Sequence, residues 1–275
     1  MVWCRALTAG TVGEMDEPAH SLVVPHRFCG PPSSGNGGWT AGALAAQVRG
    51  CPGDHRTDQW PPVEVSLRRP PPLDVPLALL EQDRVLSATG DAGVVATAQC
   101  METELVEVEP VNHDVAVSAA AEYPGLRSHP FPTCFVCGTG REEGDGLRIF
   151  PGAVEPTAEG RNRVAAPWTP HASLAEDFHT YADAEPRASL PVTWAALDCA
   201  GAWAADMGER LMVLARMRAR VDTLPVLGEP HVVMGEARGQ EGRKSFTATT
   251  LYDAEGRVVG TAEHLWIEVD PADFA

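Results

Sequence analysis

A chain of 275 residues, 44% of them hydrophobic, can bury one large core or two modest ones, because domains typically run to roughly 100–200 residues. Its formal charge of −17 opposes unspecific attraction to nucleic acid and to anionic lipid, so any anionic ligand needs a local basic patch. No apolar run approaches the roughly 20 residues that cross a bilayer, and Glu14, Asp16 and Glu17 stand where a signal peptide carries positive charge. The expectation is a cytoplasmic protein that partners neither nucleic acid nor membrane.

A short alternating stretch at 21–28 runs into the Gly-, Pro- and Ser-rich residues 30–38, so a strand ends there in a loop. Residues 39–48 are small and helix-forming, and Gly50 and Pro52 supply the stop. Val63, Val65 and Leu67 alternate with Glu64, Ser66 and Arg68 as in a strand; three prolines interrupt, and extended runs follow at 75–80, 84–89 and 94–103, with 90–93 as a turn. The pattern fades between 105 and 130. Strand candidates resume at 146–150 and 163–168, an apolar helix covers 192–207, and strands follow at 211–221, 231–238, 244–252 and 258–269, with 253–256 as a hairpin turn.

Helix, strand, Pro break and further strands therefore recur in both halves at a similar spacing, as a tandem duplication would leave them. The expected class is α+β, an antiparallel sheet in each half wrapped around one central helix that is small and apolar on all sides. Residues 1–110 form the first unit, 111–130 a linker and 131–275 the second. Seven cysteines, an odd number in a chain too large to need staples, argue against a disulfide framework and for free, buried thiols.

Cys134-Phe135-Val136-Cys137-Gly138, Gly146-Leu147-Arg148-Ile149-Phe150 and Leu197-Asp198-Cys199-Ala200-Gly201 resemble segments of hotdog thioesterase-like proteins. Gly35-Asn36-Gly37-Gly38-Trp39, just ahead of the first helix, is similar to their His-Gly-Gly or Asn-Gly-Gly turn. The resemblance touches both halves. It implies a double hotdog, two tandem hotdog folds paired as a pseudo-dimer, that hydrolyses an acyl-CoA or related acyl thioester without metal or other cofactor. A homodimer of such chains is a further possible assembly.

Thioester hydrolysis develops an oxyanion, which the unpaired N–H groups at a helix N-terminus stabilise. Asn36, Gly37 and Gly38 occupy that place in the first half, and glycine lets a carbonyl approach the main chain; the same three residues also suit a plain tight turn. The matching start in the second half, Ser189-Leu190-Pro191, has a proline where a donor would be.

The second requirement is a base or nucleophile. Asp198 lies about two turns into the second helix in an apolar run, where an unpaired carboxylate is costly unless it is used; a core Asp bonded to backbone or to an Arg is the alternative. Its counterpart in the first helix is Ala45. Because the resemblance implies sites that straddle the interface, one composite site remains, made of Gly37 or Gly38 and Asp198, while its twin (Ala45 with Pro191) is dead.

Trp39, Trp194 and Trp203 suit an acyl pocket or a core. Arg216, Arg218 and Arg220 share one face of a strand and, with Arg68 and Arg69, suit either CoA phosphates or ordinary ion pairs. The Cys134-x-x-Cys137 pair lacks the second pair that structural zinc sites use, so no metal is expected. The histidines, His113, His129, His171, His179 and His264 among them, form no defensible catalytic pattern. Besides hydrolysis, the sequence leaves room for a non-catalytic acyl or CoA binder and for a hotdog dehydratase or hydratase.

Overall fold

The computed structural model describes residues 21–52, 60–175, 185–270 and 272; the acidic N-terminal residues and His179 lie outside them. Among the described residues eleven strands form one antiparallel sheet: β1 (Ser21–Leu22), β2 (Trp60–Leu67), β3 (Leu77–Gln82), β4 (Val85–Gly90), β5 (Gly93–Cys100), β6 (Gly152–Val154), β7 (Arg163–Trp168), β8 (Met212–Val221), β9 (His231–Glu241), β10 (Lys244–Tyr252) and β11 (Val258–Glu268). Their order is β1-β3-β4-β5-β2-β8-β11-β10-β9-β7-β6.

Outward from the β2–β8 seam, the first half runs β2-β5-β4-β3 and the second β8-β11-β10-β9. The two orders are the same once the halves are aligned, which is the duplication expressed as topology. At the seam the register sets Glu64 opposite Arg218 and Ser66 opposite Arg216.

Among the described residues four α-helices complete the fold: α1 (Gly37–Ala45), α2 (His113–Ala121), α3 (Leu190–Ala196) and α4 (Cys199–Ala204). The Asn36 side chain accepts the Trp39 N–H at 2.8 Å and starts α1, while the Ser189 hydroxyl accepts the Val192 N–H and starts α3, so both halves cap their helix with a side-chain oxygen. In α1 every residue after Gly37 is buried. α1 packs directly on α3, and one apolar cluster takes residues from both halves. The molecule therefore has a shared core at the seam.

Four expectations need correction. The helix over 192–207 is broken into α3 and α4, and residues 146–150 join no strand of the sheet: Leu147 and Ile149 donate to the Phe135 and Val136 carbonyls instead, with Arg148 at φ 54°. Cys51 and Cys100 form a disulfide that ties the exit of α1 to the end of β5, whereas Cys29, Cys134, Cys137 and Cys199 are free and buried as expected. Finally, the 105–130 segment contains α2, which covers the outer face of the second half. Val232 and Met234 pack under it with Ala116 while Val233 belongs to the main core, so β9 is buried on both faces. Val108 fastens the segment, donating its N–H to Thr250 Oγ1 and accepting from the Tyr252 hydroxyl.

Candidate active site

The break in the second helix falls at Asp198. Leu197 closes α3, its carbonyl accepts the Thr249 hydroxyl at 2.7 Å, and Asp198 becomes the first flanking residue of α4, at φ −83° and ψ −78°. The carboxylate points at the start of α1. Its Oδ2 accepts the Gly38 N–H and the Asn36 Nδ2–H, each at 2.9 Å, and its buried Oδ1 has no partner among the described residues. Burial pushes this carboxyl up to about 7; the Gly38 amide and the Asn36 amide pull the other way, and the nearby Cys134 adds to the rise.

This contact explains the glycines. A Cβ on Gly38 would stand 2.5 Å from the Asp198 Cβ, and one on Gly42 2.6 Å from the Trp194 Cβ and 2.8 Å from the Pro191 Cα. The small residues of α1 thus let the two helices touch. Gly38 admits the carboxylate of the other half, and its N–H is committed to Asp198. Gly37 has the free donor: its N–H has no acceptor among the described residues, and the residue lines a cavity that Asp198 also lines.

That cavity measures about 420 Å³ and is mostly apolar. Asn36, Gly37 and Leu67 enter it from the first half; Asp198, Trp203, Leu214 and Trp266 enter from the second. Cys134, Cys137, Cys199 and His129 also line it. His129 Nδ1 accepts the Phe131 N–H at 2.9 Å, which leaves the ring proton on Nε2, and burial lowers the affinity of the ring for a second one. Hydrogen bonds from the Cys137 and Cys199 thiols and from backbone amides push the Cys134 thiol down; burial pushes Cys137 up, and Cys199 is pushed up first by its bond to Cys134.

The other residues singled out from the sequence divide clearly. Trp203 lines the cavity; Trp194 is fully buried in the core, and Trp39 stacks on Phe28 at 4.2 Å between ring centroids. Arg68 and Arg69 are exposed on the cavity wall with no ion-pair partner among the described residues. Arg216 and Arg218 converge on Glu64, at 3.9 and 2.7 Å, and Arg220 pairs with Asp222 and Glu107. Of the other expected pair, Ala45 is buried in the core, and Pro191 lies against Gly42 where α3 meets α1.

His129, Trp266 and Cys199 were missed as cavity residues. His129 precedes the Cys134 turn with no spacing signal of its own, and Trp266 reads as one more inward strand position. Cys199 was visible beside Asp198, yet nothing in the spacing tied it to Cys134 and Cys137.

Two helix-and-sheet units fused through one sheet, with the helices meeting at the seam, define a double hotdog. Solved structures share this fold along nearly the whole chain. A TesB protein of Mycobacterium avium subsp. paratuberculosis is 15% identical at a TM-score of 0.50, covering 87% of this chain and 89% of its own. An acyl-CoA thioesterase II of Mycobacterium marinum is 9% identical at 0.51, covering 86% and 88%, and a protein of Novosphingobium aromaticivorans provisionally assigned as a thioesterase is 12% identical at 0.54, covering 94% and 98%. No protein-family model matches the chain, and no curated protein matches it by sequence. The chain thus has the double-hotdog fold of TesB-like thioesterases and resembles acyl-CoA thioesterases in structure. Among the described residues no helix is long and apolar enough to cross a membrane.

Proposed function

We propose that the chain hydrolyses an acyl-CoA or related acyl thioester at one composite site between its halves. The observation that carries this reading is that Asn36 and Gly37 from the first half meet Asp198 from the second at one apolar cavity, with the Gly38 N–H behind them on the carboxylate. The acyl chain enters the apolar part beside Trp203 and Trp266. The thioester carbonyl turns to the free Gly37 N–H, at the positive end of α1, where the developing oxyanion is stabilised. Asp198 uses its unpaired Oδ1 to take a proton from the water that attacks the carbonyl and returns that proton to the departing thiolate, or it attacks the carbonyl itself, expelling the thiolate and forming a transient anhydride that water then opens. Asn36 and the Gly38 N–H hold the carboxylate through Oδ2 and fix its direction.

Arg68 and Arg69, cavity-wall cations with no ion-pair partner among the described residues, meet the phosphates of the CoA carrier. Neither nucleic acid nor membrane enters this reading as a partner, and its steps use only the chain's own residues. The test is release of free thiol from a panel of acyl-CoA esters of graded chain length, followed with a chromogenic thiol reagent. Sustained turnover on at least one ester supports hydrolysis. Saturable binding without turnover supports a binding protein instead, a reading favoured by the Gly38 donor being occupied by Asp198.

A further inference from the structure

Three thiols that the hydrolytic reading does not use meet in the cavity wall. Cys134 and Cys137 come from the turn that Gly138 closes, and Cys199 from the first residue of α4. All three are buried and free, their sulfurs lie within 4.8 Å of one another, and Cys134 and Cys199 are 3.8 Å apart. A tetrahedral zinc ion with sulfurs at about 2.3 Å requires sulfur–sulfur edges of about 3.8 Å. We propose that Cys134, Cys137 and Cys199 form a thiolate site for zinc, with the fourth position open to the cavity beside Asp198 and filled there by water.

Two further observations support the site. The Asn36 Nδ2–H, an N–H donor, is turned to the Cys134 sulfur at 3.9 Å. A donor in that position stabilises a thiolate and orients it as an outer shell does around a metal. The turn itself is also fixed. A Cβ on Gly138 would stand 2.4 Å from the Cys134 carbonyl oxygen and 2.5 Å from that of Pro132, so glycine is needed to bring the two sulfurs together.

Soft sulfur ligands select zinc over magnesium or calcium, and three protein ligands with one open position are the pattern of a reactive site, as distinct from the closed four-ligand structural kind. Binding displaces three thiol protons and leaves the three thiolates and the dication with a net charge of −1. His129 is not the fourth ligand, because its Nδ1 accepts the Phe131 N–H and its Nε2 keeps the proton. The sequence set Cys134 and Cys137 aside for want of a second pair; the fold supplies the third sulfur from 62 residues further on. The inference does not rest on the hydrolytic reading.

The full chain, purified under reducing conditions without chelator and then incubated with one equivalent of zinc, is expected to retain about one zinc per chain after dialysis. Cobalt in its place should give sulfur-to-cobalt charge-transfer absorption, and Cys134, Cys137 and Cys199 should become unreactive to a thiol reagent. Cys137→Ser and Cys199→Ser, each checked for folding by circular dichroism, should weaken zinc binding by about 100-fold or more, whereas Cys29→Ser should not. The proposal is overturned if the folded wild-type chain retains no zinc, if cobalt shows no sulfur charge transfer, or if a disulfide is found among the three cysteines.

Discussion

Gly38→Ala is the sharpest test of how closely the two halves meet. The added methyl would stand 2.5 Å from the Asp198 Cβ, 2.9 Å from its Cγ and 3.0 Å from Oδ2, and neither helix has a flexible side-chain end to give way. Overpacking of this kind costs about 1–3 kcal/mol. Displacing Asp198 also breaks the 2.9 Å bond from the Gly38 N–H, and a hydrogen bond to a charged group contributes about 1.5–3 kcal/mol. Alanine returns about 1 kcal/mol of helix propensity. The net loss is about 1.5–5 kcal/mol, which at about 2–4 °C per kcal/mol lowers the melting temperature by roughly 3–20 °C. Differential scanning calorimetry measures it, with Gly208→Ala as the control, since a Cβ there meets only Trp203 at an ordinary 3.7 Å. A Gly38→Ala protein that melts with the wild type would refute the close approach of α1 to Asp198.

Arg68→Ala with Arg69→Ala should raise KM for a CoA ester by about tenfold or more while leaving kcat and the hydrolysis of a truncated thioester without the nucleotide little changed, because both cations line the cavity and have no ion-pair partner among the described residues. Arg218→Ala should leave KM unchanged and cost at most about 1 kcal/mol in urea denaturation, because it removes a partly exposed ion pair with Glu64. Cys100→Ser should cost about 2–4 kcal/mol in the same denaturation under oxidising conditions, since the Cys51 bond closes a long loop, and no difference should remain under reducing conditions.

The duplication was legible because strands signal themselves by alternation and prolines mark the breaks; β10 falls where the alternation and the 253–256 turn put it. The split of the second helix was not. Leu197 and Asp198 stand in a run as apolar and helix-forming as its neighbours, and the break is held by a tertiary bond, Thr249 to the Leu197 carbonyl, that no local pattern announces. α2 was lost for a related reason: its buried face is only Ala116 and Ala119, too narrow a stripe to register as helical periodicity.

At the site, the expectation that Gly37 or Gly38 of one half shares a site with Asp198 of the other came from the complementary defects of the halves; that the Gly38 N–H is taken up by Asp198 was not foreseen. Nor was which amide stays free, because that depends on the carboxylate reaching Gly38 and leaving Gly37. The arginine face on β8 was read correctly as one-sided, yet Glu64 on the neighbouring strand takes Arg216 and Arg218, a partner that only register reveals. The disulfide was missed because its cysteines are 49 residues apart and meet only when α1 lies against the sheet.

The central claim, one working site shared by two halves, is tested most directly by Asp198→Asn assayed for turnover and for binding of the same acyl-CoA. Asparagine keeps the shape and an oxygen that accepts from Gly38 and Asn36, so the variant should fold and bind ligand with unchanged affinity. Its hydrolysis should fall by about 100-fold or more with the loss of the base or nucleophile. Turnover at the wild-type rate in a correctly folded Asp198→Asn protein would contradict the account.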